Sequence, residues 1–489
     1  MTSDPTVGEP ERLHPLFLLT GIGGALRGMA GAYALMAYLA VSGRLSTAIF
    51  GGVALLVVTA VGLLLYWRRF EYRVGATEIR IDSGIFSRTH RSIPFDRVQD
   101  VDITQGPVAR LLGLAKVRFE TGASAGKEEG VLQAIALERA EALRELVRAR
   151  RSGAGAAEAA AEQTEGPPVY AMDVTRLLLA GLFNFSLAVF AGLFGVTQTM
   201  GDAIGFDPLS RSFWESVLSA SGPLQQFLLA NRAAAAIAGL LSLVLIGIAT
   251  GIVRTTLRDY GFRLDRTETG VRRRRGLMTL TDVTLPVRRA QAAIVATGPA
   301  RDRFGWRELK LQSLARDEGG SGDHVLAPLA DDGEVAGILA ALGWRPLPDS
   351  IGWNRVSRAY VWVLTIAVVP LLLVALVQAL FFPVIGVAMV ALLLGGVAAR
   401  WLAWHRTGYA LDSDRLLIRT GWWRRRILVL PIRRIQSIDL AQNFISRRFG
   451  TAALAFGIAG GSGFSAHEIP ALGEEKARDL RDQLLVQIA

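Results

Sequence analysis

The sequence predicts a membrane α-helical protein in which three pairs of transmembrane helices alternate with three polar, β-rich domains. Apolar residues make up 51% of the 489-residue chain, and six long segments are almost free of charge. A helix needs about 20 apolar residues to span a hydrocarbon core, and each of the six segments reaches that length. A charged region follows every second segment. The predicted spans are 15–41, 46–67, 173–200, 233–253, 359–380 and 383–404.

The helix pairs divide the chain into three units of two helices plus one polar domain. The acidic amino terminus lacks the positive n-region and the cleavage site of a secretory signal, so we expect the first helix to be retained. The predicted segments are 1–67 (tail and first pair), 68–151 (first domain), 152–172 (linker), 173–253 (second pair), 254–347 (second domain), 348–404 (third pair) and 405–489 (third domain).

Arginines near the helix ends predict the orientation. Arginine is concentrated after the second helix of each pair, whereas the connection within each pair is poorer in positive charge. By the positive-inside rule, all three domains and both termini should face the cytoplasm. The arginines that carry this inference are Arg68, Arg69, Arg254, Arg258, Arg400 and Arg406.

One short motif occurs in all three polar domains, as IPFDRVQ (93–99), LPVRRAQ (285–291) and LPIRRIQ (430–436). The alignment extends without a gap to a glycine ten residues before each proline and another nineteen residues after it. Such agreement indicates an internal repeat. The aligned residues are Pro94, Arg97, Gln99 and Gly113; Pro286, Arg289, Gln291 and Gly305; Pro431, Arg434, Gln436 and Gly450, with Gly84, Gly276 and Gly421 before them.

Each part of the repeat has a local structural interpretation. The first glycine lies between two strand-like runs, where a tight turn requires positive φ. Proline then ends a strand, because it has no N–H for the ladder, and the motif forms a corner. The motif glutamine shares parity with apolar positions, so we expect it on the inner face, bonded to backbone groups. A short helical turn, a capping glycine, further strands and an amphipathic helix complete each domain.

This pattern of two helices, the motif and a glycine nineteen residues after its proline resembles bacterial pleckstrin-homology-like membrane proteins of the YdbS and YdbT group. The resemblance covers nearly the whole chain, and three units are similar to the longer, YdbT-like members. It implies that each polar domain is a PH-like β-barrel or sandwich of about seven strands closed by a carboxy-terminal helix. It also implies a bacterial inner-membrane location and a link to envelope stress or toxic-peptide resistance, without catalytic residues.

The residue inventory argues against an enzyme. The chain has no cysteine, and its five histidines are scattered without the i, i+4 spacing of a helical metal site. No phosphate loop, nucleophile elbow or paired-carboxylate motif is present. We therefore predict no catalytic residues, no metal and no cofactor, and we assign the basic pI to lipid contact rather than to nucleic acid.

Arginine clusters near the hairpin glycines and the corners are the candidate ligand-binding residues. Guanidinium groups that face the bilayer would engage the phosphates of anionic lipids. Nonspecific attraction to the membrane surface and a protein-facing patch remain alternatives. The candidates are Arg272, Arg273, Arg274, Arg275, Arg424, Arg425, Arg426 and Arg433.

The main functional hypothesis is a non-catalytic scaffold or sensor at the membrane surface that binds lipid or a protein partner. One alternative is a component of a transporter or channel, since polar residues inside predicted spans are functional candidates. The other is a protein-interaction platform without lipid specificity, with a membrane protein or a second copy as partner. The intramembrane polar residues are Arg27, Asn184 and Gln378.

Overall fold

The computed structural model describes residues 9–84, 89–121, 130–152, 167–185, 215–216, 230–314, 322–459 and 467–488. The chain divides into two compact units, and the boundary between them runs through the second repeat. One unit is Met1–Gly166, Ala171–Arg263 and Arg273–Thr284; the other is Pro167–Tyr170, Leu264–Arg272 and Leu285–Ala489.

The helices range from single short turns to membrane-length rods. In chain order they are α1 (Phe17–Gly28), α2 (Ala30–Val41), α3 (Leu45–Arg69), α4 (Pro107–Leu111), α5 (Leu137–Ser152), α6 (Val174–Phe183), α7 (Arg232–Asp259), α8 (Pro299–Arg303), α9 (Asp332–Ala341), α10 (Ala359–Phe381), α11 (Pro383–Arg406), α12 (Phe444–Arg448) and α13 (Glu474–Ile488).

The strands fall into three similar groups of seven, and in each group one short strand precedes the helix pair and six follow it. The first group is β1 (Pro10–Arg12), β2 (Glu71–Val74), β3 (Glu78–Ser83), β4 (Thr89–Pro94), β5 (Val98–Gln105), β6 (Leu114–Thr121) and β7 (Val131–Ala136). The second is β8 (Tyr170–Ala171), β9 (Arg263–Arg266), β10 (Gly270–Arg275), β11 (Leu280–Pro286), β12 (Ala290–Thr297), β13 (Arg307–Ser313) and β14 (Asp323–Ala330). The third is β15 (Asn354–Arg355), β16 (Gly408–Asp412), β17 (Arg415–Thr420), β18 (Arg425–Pro431), β19 (Ile435–Ala441), β20 (Thr451–Ile458) and β21 (His467–Gly473).

Within the described residues, four helices are long and apolar enough to cross a membrane, where the sequence predicted six. Their mean hydropathy lies between 2.0 and 2.7. The third predicted span, 173–200, is described only as the ten-residue helix α6, and the remainder from 186 onward lies outside the described residues. The four candidate spans are Leu45–Arg69, Ile237–Asp259, Ala359–Phe381 and Pro383–Arg406.

The first predicted span, 15–41, forms two helices instead of one. Helices α1 and α2 have 12 residues each and are separated at Met29, whose backbone leaves the helical region. Glycine is a weak helix former, and it occurs five times between Phe17 and Gly31. The prediction of one continuous helix here was therefore wrong.

A short strand precedes each helix pair and joins the sheet that follows it. In the first repeat β1 pairs antiparallel with β2, placing Pro10 opposite Arg73. In the third repeat β15 pairs with β16, placing Asn354 opposite Tyr409. These strands have two or three residues, too few to show a periodic pattern in the sequence.

The strands form four sheets, and two of them run across repeat boundaries. The orders are β1-β2-β3-β4, β7-β6-β5-β11-β10-β9-β8, β14-β13-β12-β18-β17-β16-β15 and β19-β20-β21. Strand β5 of the first repeat pairs with β11 of the second, and β12 of the second pairs with β18 of the third. The second half of one repeat thus continues into the first half of the next.

The carboxy-terminal helices cover the hydrophobic cores of the first and third repeats. Helix α5 buries Ala140, Leu143 and Val147 in the first, as its apolar spacing predicted. Helix α13 buries Ala477, Leu480 and Leu484 in the third, whereas Leu485 is exposed. Burial of one leucine or valine side chain contributes about 1.5–3 kcal/mol, so each helix is held by its apolar face.

Candidate functional site

The repeated motif forms a corner in every domain. A single 3-10 turn follows Pro94, Pro286 and Pro431, and a register shift in the next strand falls at the motif glutamine. Such a β-bulge changes which side chains face the core. The glycines nineteen residues after the prolines, at 113, 305 and 450, all have positive φ, as a helix C-cap requires.

The motif side chains have different surroundings in the three repeats, although all three share the bulge. Gln291 is buried, and its Nε2 donates to the carbonyl oxygen of Arg289 over 3.2 Å. Gln436 is exposed, which differs from the expected inner-face position. The side chain of Gln99 lies outside the described residues. The motif arginines range from exposed (Arg97) through half-buried (Arg434) to buried (Arg289).

The arginine run of the second repeat alternates between the interior and the surface, as expected along a strand. Arg275 is buried, and its Nη1 lies 3.1 Å from Oδ1 of the fully buried Asp259. An alternating strand can therefore present only half of this run to a lipid. By exposure, Arg272 is half-buried, Arg273 and Arg275 are buried, and Arg274 is exposed.

The arginine run of the third repeat is more accessible. Arg424, Arg426 and Arg433 are exposed, whereas Arg425 forms an ion pair with Asp302. The same carboxylate accepts from Nη1 of Arg307 over 2.6 Å. Asp302 thereby neutralises part of the positive charge at this surface.

Arg426 lines a cleft with a volume of about 250 Å³ in the third repeat and its adjoining strand β12, which we call the basic cleft. Arg406, the last residue of α11, and Arg419 of β17 also line it. Arg406 and Arg419 therefore lie together beside the end of a membrane-length helix, whereas strand alternation points the Arg426 side chain to the opposite face of the sheet. The other lining residues are Val295, Thr297, Asp302, Arg307, Pro348, Asp349, Ile351, Trp353, Gly421, Arg425 and Ile427.

A hydrogen bond and a cation–π contact fix the side chain of Arg419 within the basic cleft. Its Nε donates to the carbonyl oxygen of Arg406 over 2.6 Å, and its guanidinium carbon lies 4.5 Å from the centre of the Trp353 ring. Desolvation lowers the pKa of Arg419, and the positive charges of Arg406 and Arg355 lower it further. A bound anion would relieve this repulsion, because it adds negative charge among like-charged groups.

The hairpin between β17 and β18 presents two tryptophans next to the basic cleft. Gly421 begins the turn at φ +84°, where a Cβ would collide with the carbonyl oxygen of Arg424. Trp422 and Trp423 follow, and 62% of Trp423 is exposed. Exposed tryptophan beside arginine is typical of the membrane–water interface.

The equivalent hairpin of the second repeat contacts the end of its membrane helix. The N–H of Leu277 donates to the carbonyl oxygen of Leu257 in α7 over 3.1 Å. Leu277 and Met278 follow the turn glycine Gly276 and are exposed. Two apolar residues after the turn glycine are thus shared by these two repeats.

Sequence reasoning identified Arg425 and Arg426 as candidates but did not single out three other residues that line the basic cleft, Arg406, Arg419 and Trp353. Arg406 entered only as an orientation signal. Arg419 is a single charge on an otherwise apolar strand, RLLIRT, and Trp353 precedes the helix pair that separates it from that strand. The one sequence signal for the basic cleft was that Arg419 lies on a predicted strand shortly after Arg406, which ends the preceding helix.

One polar residue within the predicted spans makes a described contact between two helices. Asn184 follows α6, and its Nδ2 donates to Oγ1 of Thr255 in α7 over 3.1 Å, which ties the two helices together. Gln378 lies in α10, and the side chain of Arg27 in α1 is outside the described side chains. Among the residues that the structure describes, no group of three His, Asp or Glu side chains is arranged to hold a metal ion.

Comparison with known proteins identifies the family. The bacterial PH domain profile matches residues 17–151, 221–343 and 359–487. The UPF0699 transmembrane protein YdbT of Bacillus subtilis (strain 168) is 23% identical over 503 residues, covering 96% of this chain and 97% of YdbT. The UPF0699 transmembrane protein YdbS of the same strain is 30% identical over 135 residues, covering 21% of this chain and 82% of YdbS. No solved structure matches. With three matches that span most of its length, the chain belongs to the bacterial PH domain family.

Proposed function

We propose that this membrane protein is a non-catalytic scaffold or sensor at the membrane surface, and that the basic cleft binds the phosphate groups of anionic lipids. The observation that supports the proposal is the proximity of Arg406 and Arg419 in the basic cleft at the end of α11. Planar guanidinium groups bind phosphate oxygens through two parallel hydrogen bonds, which lysine does not offer.

The surroundings of the basic cleft favour a lipid over a soluble anion. Each basic residue close to an anionic leaflet contributes about 1 kcal/mol of attraction. Trp423 adds an amphipathic ring suited to the headgroup layer, and Arg406 ends a helix of membrane length. The phosphate bound in the basic cleft would therefore belong to a lipid headgroup in the adjacent bilayer.

Cytoplasmic placement of the PH domains is part of this proposal, because anionic lipid attracts basic segments at the cytoplasmic leaflet. The chain has no cysteine, so one engineered cysteine reports its own location. In Asp482→Cys, on the exposed face of α13, we expect no labelling by an impermeant maleimide until the cells are lysed. Labelling of intact cells would place the third domain outside and exclude the proposed orientation.

The lipid proposal is tested with the full chain in detergent by native mass spectrometry with added phosphatidylglycerol or phosphatidylcholine. The double variant Arg406→Gln, Arg419→Gln removes two charges from the basic cleft. At about 1 kcal/mol per charge, we expect its affinity for phosphatidylglycerol to fall roughly 10- to 30-fold.

The matched control is Lys476→Gln, Arg478→Gln, which removes two charges from exposed positions of α13. It should bind phosphatidylglycerol as the unmodified chain does. Equal loss in both variants would mean that net charge, and not the basic cleft, attracts the lipid. Undiminished binding by the cleft variant, or equal affinity for phosphatidylcholine, would also contradict the proposal.

A further inference from the structure

The two sheets that cross repeat boundaries use one register. Leu280, six residues before Pro286, lies opposite Gln105, eleven residues after Pro94. Arg425, six residues before Pro431, lies opposite Thr297, eleven residues after Pro286. Both pairings are antiparallel. Each repeat therefore has two sheet edges that can pair. The strand after the corner of one repeat pairs with the strand before the corner of the next repeat.

Two such edges are left at the ends of the repeat series. Strand β4 ends the first sheet, and β19 ends the last, with no further strand in the order of either among the described residues. They occupy the repeat positions of β11 and β5, respectively. Thr89 and His90 of β4 are exposed, as are Ser437, Asp439 and Ala441 of β19.

A buried arginine bridges the two strands, β5 and β11, that pair at the boundary between the first and second repeats. Arg144 of α5 donates from Nε to the carbonyl oxygen of Val101 in β5 over 3.1 Å. It also donates from Nη1 to Oδ2 of Asp282 over 2.9 Å and from Nη2 to the carbonyl oxygen of Asp282 over 3.1 Å. One side chain therefore holds both strands.

The third repeat has an arginine at the same place beside its open edge. Helices α5 and α13 both begin with an N–H that donates to the repeat glycine, Leu137 to Gly113 and Glu474 to Gly450. Seven residues later these helices carry Arg144 and Arg481. The side chain of Arg481 is 37% exposed and lies next to Asp482.

We propose that β19 of one copy of this chain pairs with β4 of a second copy, in the register of the internal boundaries. That register puts Arg91 opposite Asp439, an arrangement of opposite charges that stabilises a cross-strand pair. Its neighbours are also compatible, since His90 falls opposite Leu440 and Ser92 opposite Ile438. Arg481 would then reach the His90 carbonyl as Arg144 reaches that of Asp282.

The contact is head-to-tail, so after pairing the first copy retains its open β4 edge and the second retains its open β19 edge. Heterologous contacts of this type extend into rings or open filaments rather than stopping at a symmetric dimer. The charges on the two edges would also disfavour pairing in other registers, as charged residues on edge strands do. The chain itself thus supplies both halves of the interface.

The cysteine-free sequence permits a direct test in membranes. Arg91→Cys and Asp439→Cys are made in separate full-length chains that carry different tags, and the two are co-expressed and oxidised. Directly opposed strand residues satisfy disulfide geometry, so we expect a cross-linked dimer that carries both tags. Each chain expressed alone should give at least five-fold less dimer.

Register is tested by pairing Arg91→Cys with Ala441→Cys. Two residues along a strand add about 7 Å, beyond the reach of a disulfide, so cross-linking should again fall at least five-fold. Equal cross-linking in both pairs would indicate random collision and overturn the proposal. Absence of the two-tag dimer in the matched pair, or dimers formed equally well by one chain alone, would overturn it too.

Discussion

Strands β12 and β19 occupy the same position in two repeats, but among the described strands only β12 has a neighbour on both sides. Ala292 of β12 is fully buried in the hydrophobic cluster of the third repeat. Its counterpart Ser437 is exposed. Two residues further along, Ile294 packs against that cluster, whereas Asp439 is exposed. At these two positions, therefore, the central strand β12 carries apolar residues and the edge strand β19 carries polar residues.

The first repeat shows that a strand with neighbours on both sides can also carry polar residues at these two positions. Asp100 and Asp102 hold the equivalent positions in β5 and are both buried. Burial of a carboxylate is costly unless hydrogen bonds compensate, and the N–H of Val101 donates to Oδ1 of Asp100 over 2.8 Å. The first boundary is therefore polar and the second apolar, although they share one register.

The largest difference between β12 and β19 should come from introducing the same charge into both. Ala292→Asp places an unpaired carboxylate in the core, and we expect the free energy of unfolding to fall by about 3 kcal/mol or more. Ser437→Asp should change it by less than about 0.5 kcal/mol in the unassembled chain. Thermal unfolding of the full chain in detergent measures both. Similar losses would show that β19 is covered in the native protein.

An intermediate effect is expected at Arg144. Arg144→Leu removes the buried cation that pairs with the half-buried Asp282, which should cost about 3 kcal/mol. Adding Asp282→Ile should restore most of that stability, because the second boundary has Leu339 and Ile427 at the corresponding places. The control Arg481→Leu should be nearly neutral in the unassembled chain. If the double variant is no more stable than Arg144→Leu, an apolar pair cannot replace this ion pair.

The smallest difference concerns the bulge glutamines. Gln291→Leu removes a buried hydrogen bond to the carbonyl of Arg289, so we expect a loss of about 1 kcal/mol in unfolding free energy. Gln436→Leu changes an exposed side chain and should have an effect below about 0.5 kcal/mol. The denaturation midpoints of the two variants in one detergent provide the comparison. An equal loss at Gln436 would indicate that it is bonded in solution.

Features set by local chemistry were predictable from the sequence. The turn glycines, the strand-ending prolines and the capping glycine Gly113 each follow from one residue's backbone preferences. Helices α3, α7, α10 and α11 follow from long apolar runs. The break at Met29 was missed because hydropathy counts glycine as compatible with a span, although glycine weakens the helix itself.

Features set by contacts distant in sequence were not predictable. Periodicity predicts that β12 is a strand, but it cannot indicate that β18, more than 120 residues later, is its neighbour. The basic cleft has the same origin, since Trp353 and Arg419 are brought together by pairing of β15, β16 and β17. The arginine clusters were visible, but which of their members reach the surface depends on strand alternation and bulges.

The short strand before each helix pair also constrains how the protein is made. Arg12 of β1 binds Glu71 of β2, 59 residues later, with Nη2 and Oε1 2.8 Å apart. A ribosome therefore releases β1 well before its partner strand exists. Insertion of α1, α2 and α3 as a hairpin would return the chain to the side of the membrane on which β1 lies. The long loop between β1 and β2 would then be closed before the sheet forms. Each repeat would then assemble its membrane part first and its sheet second.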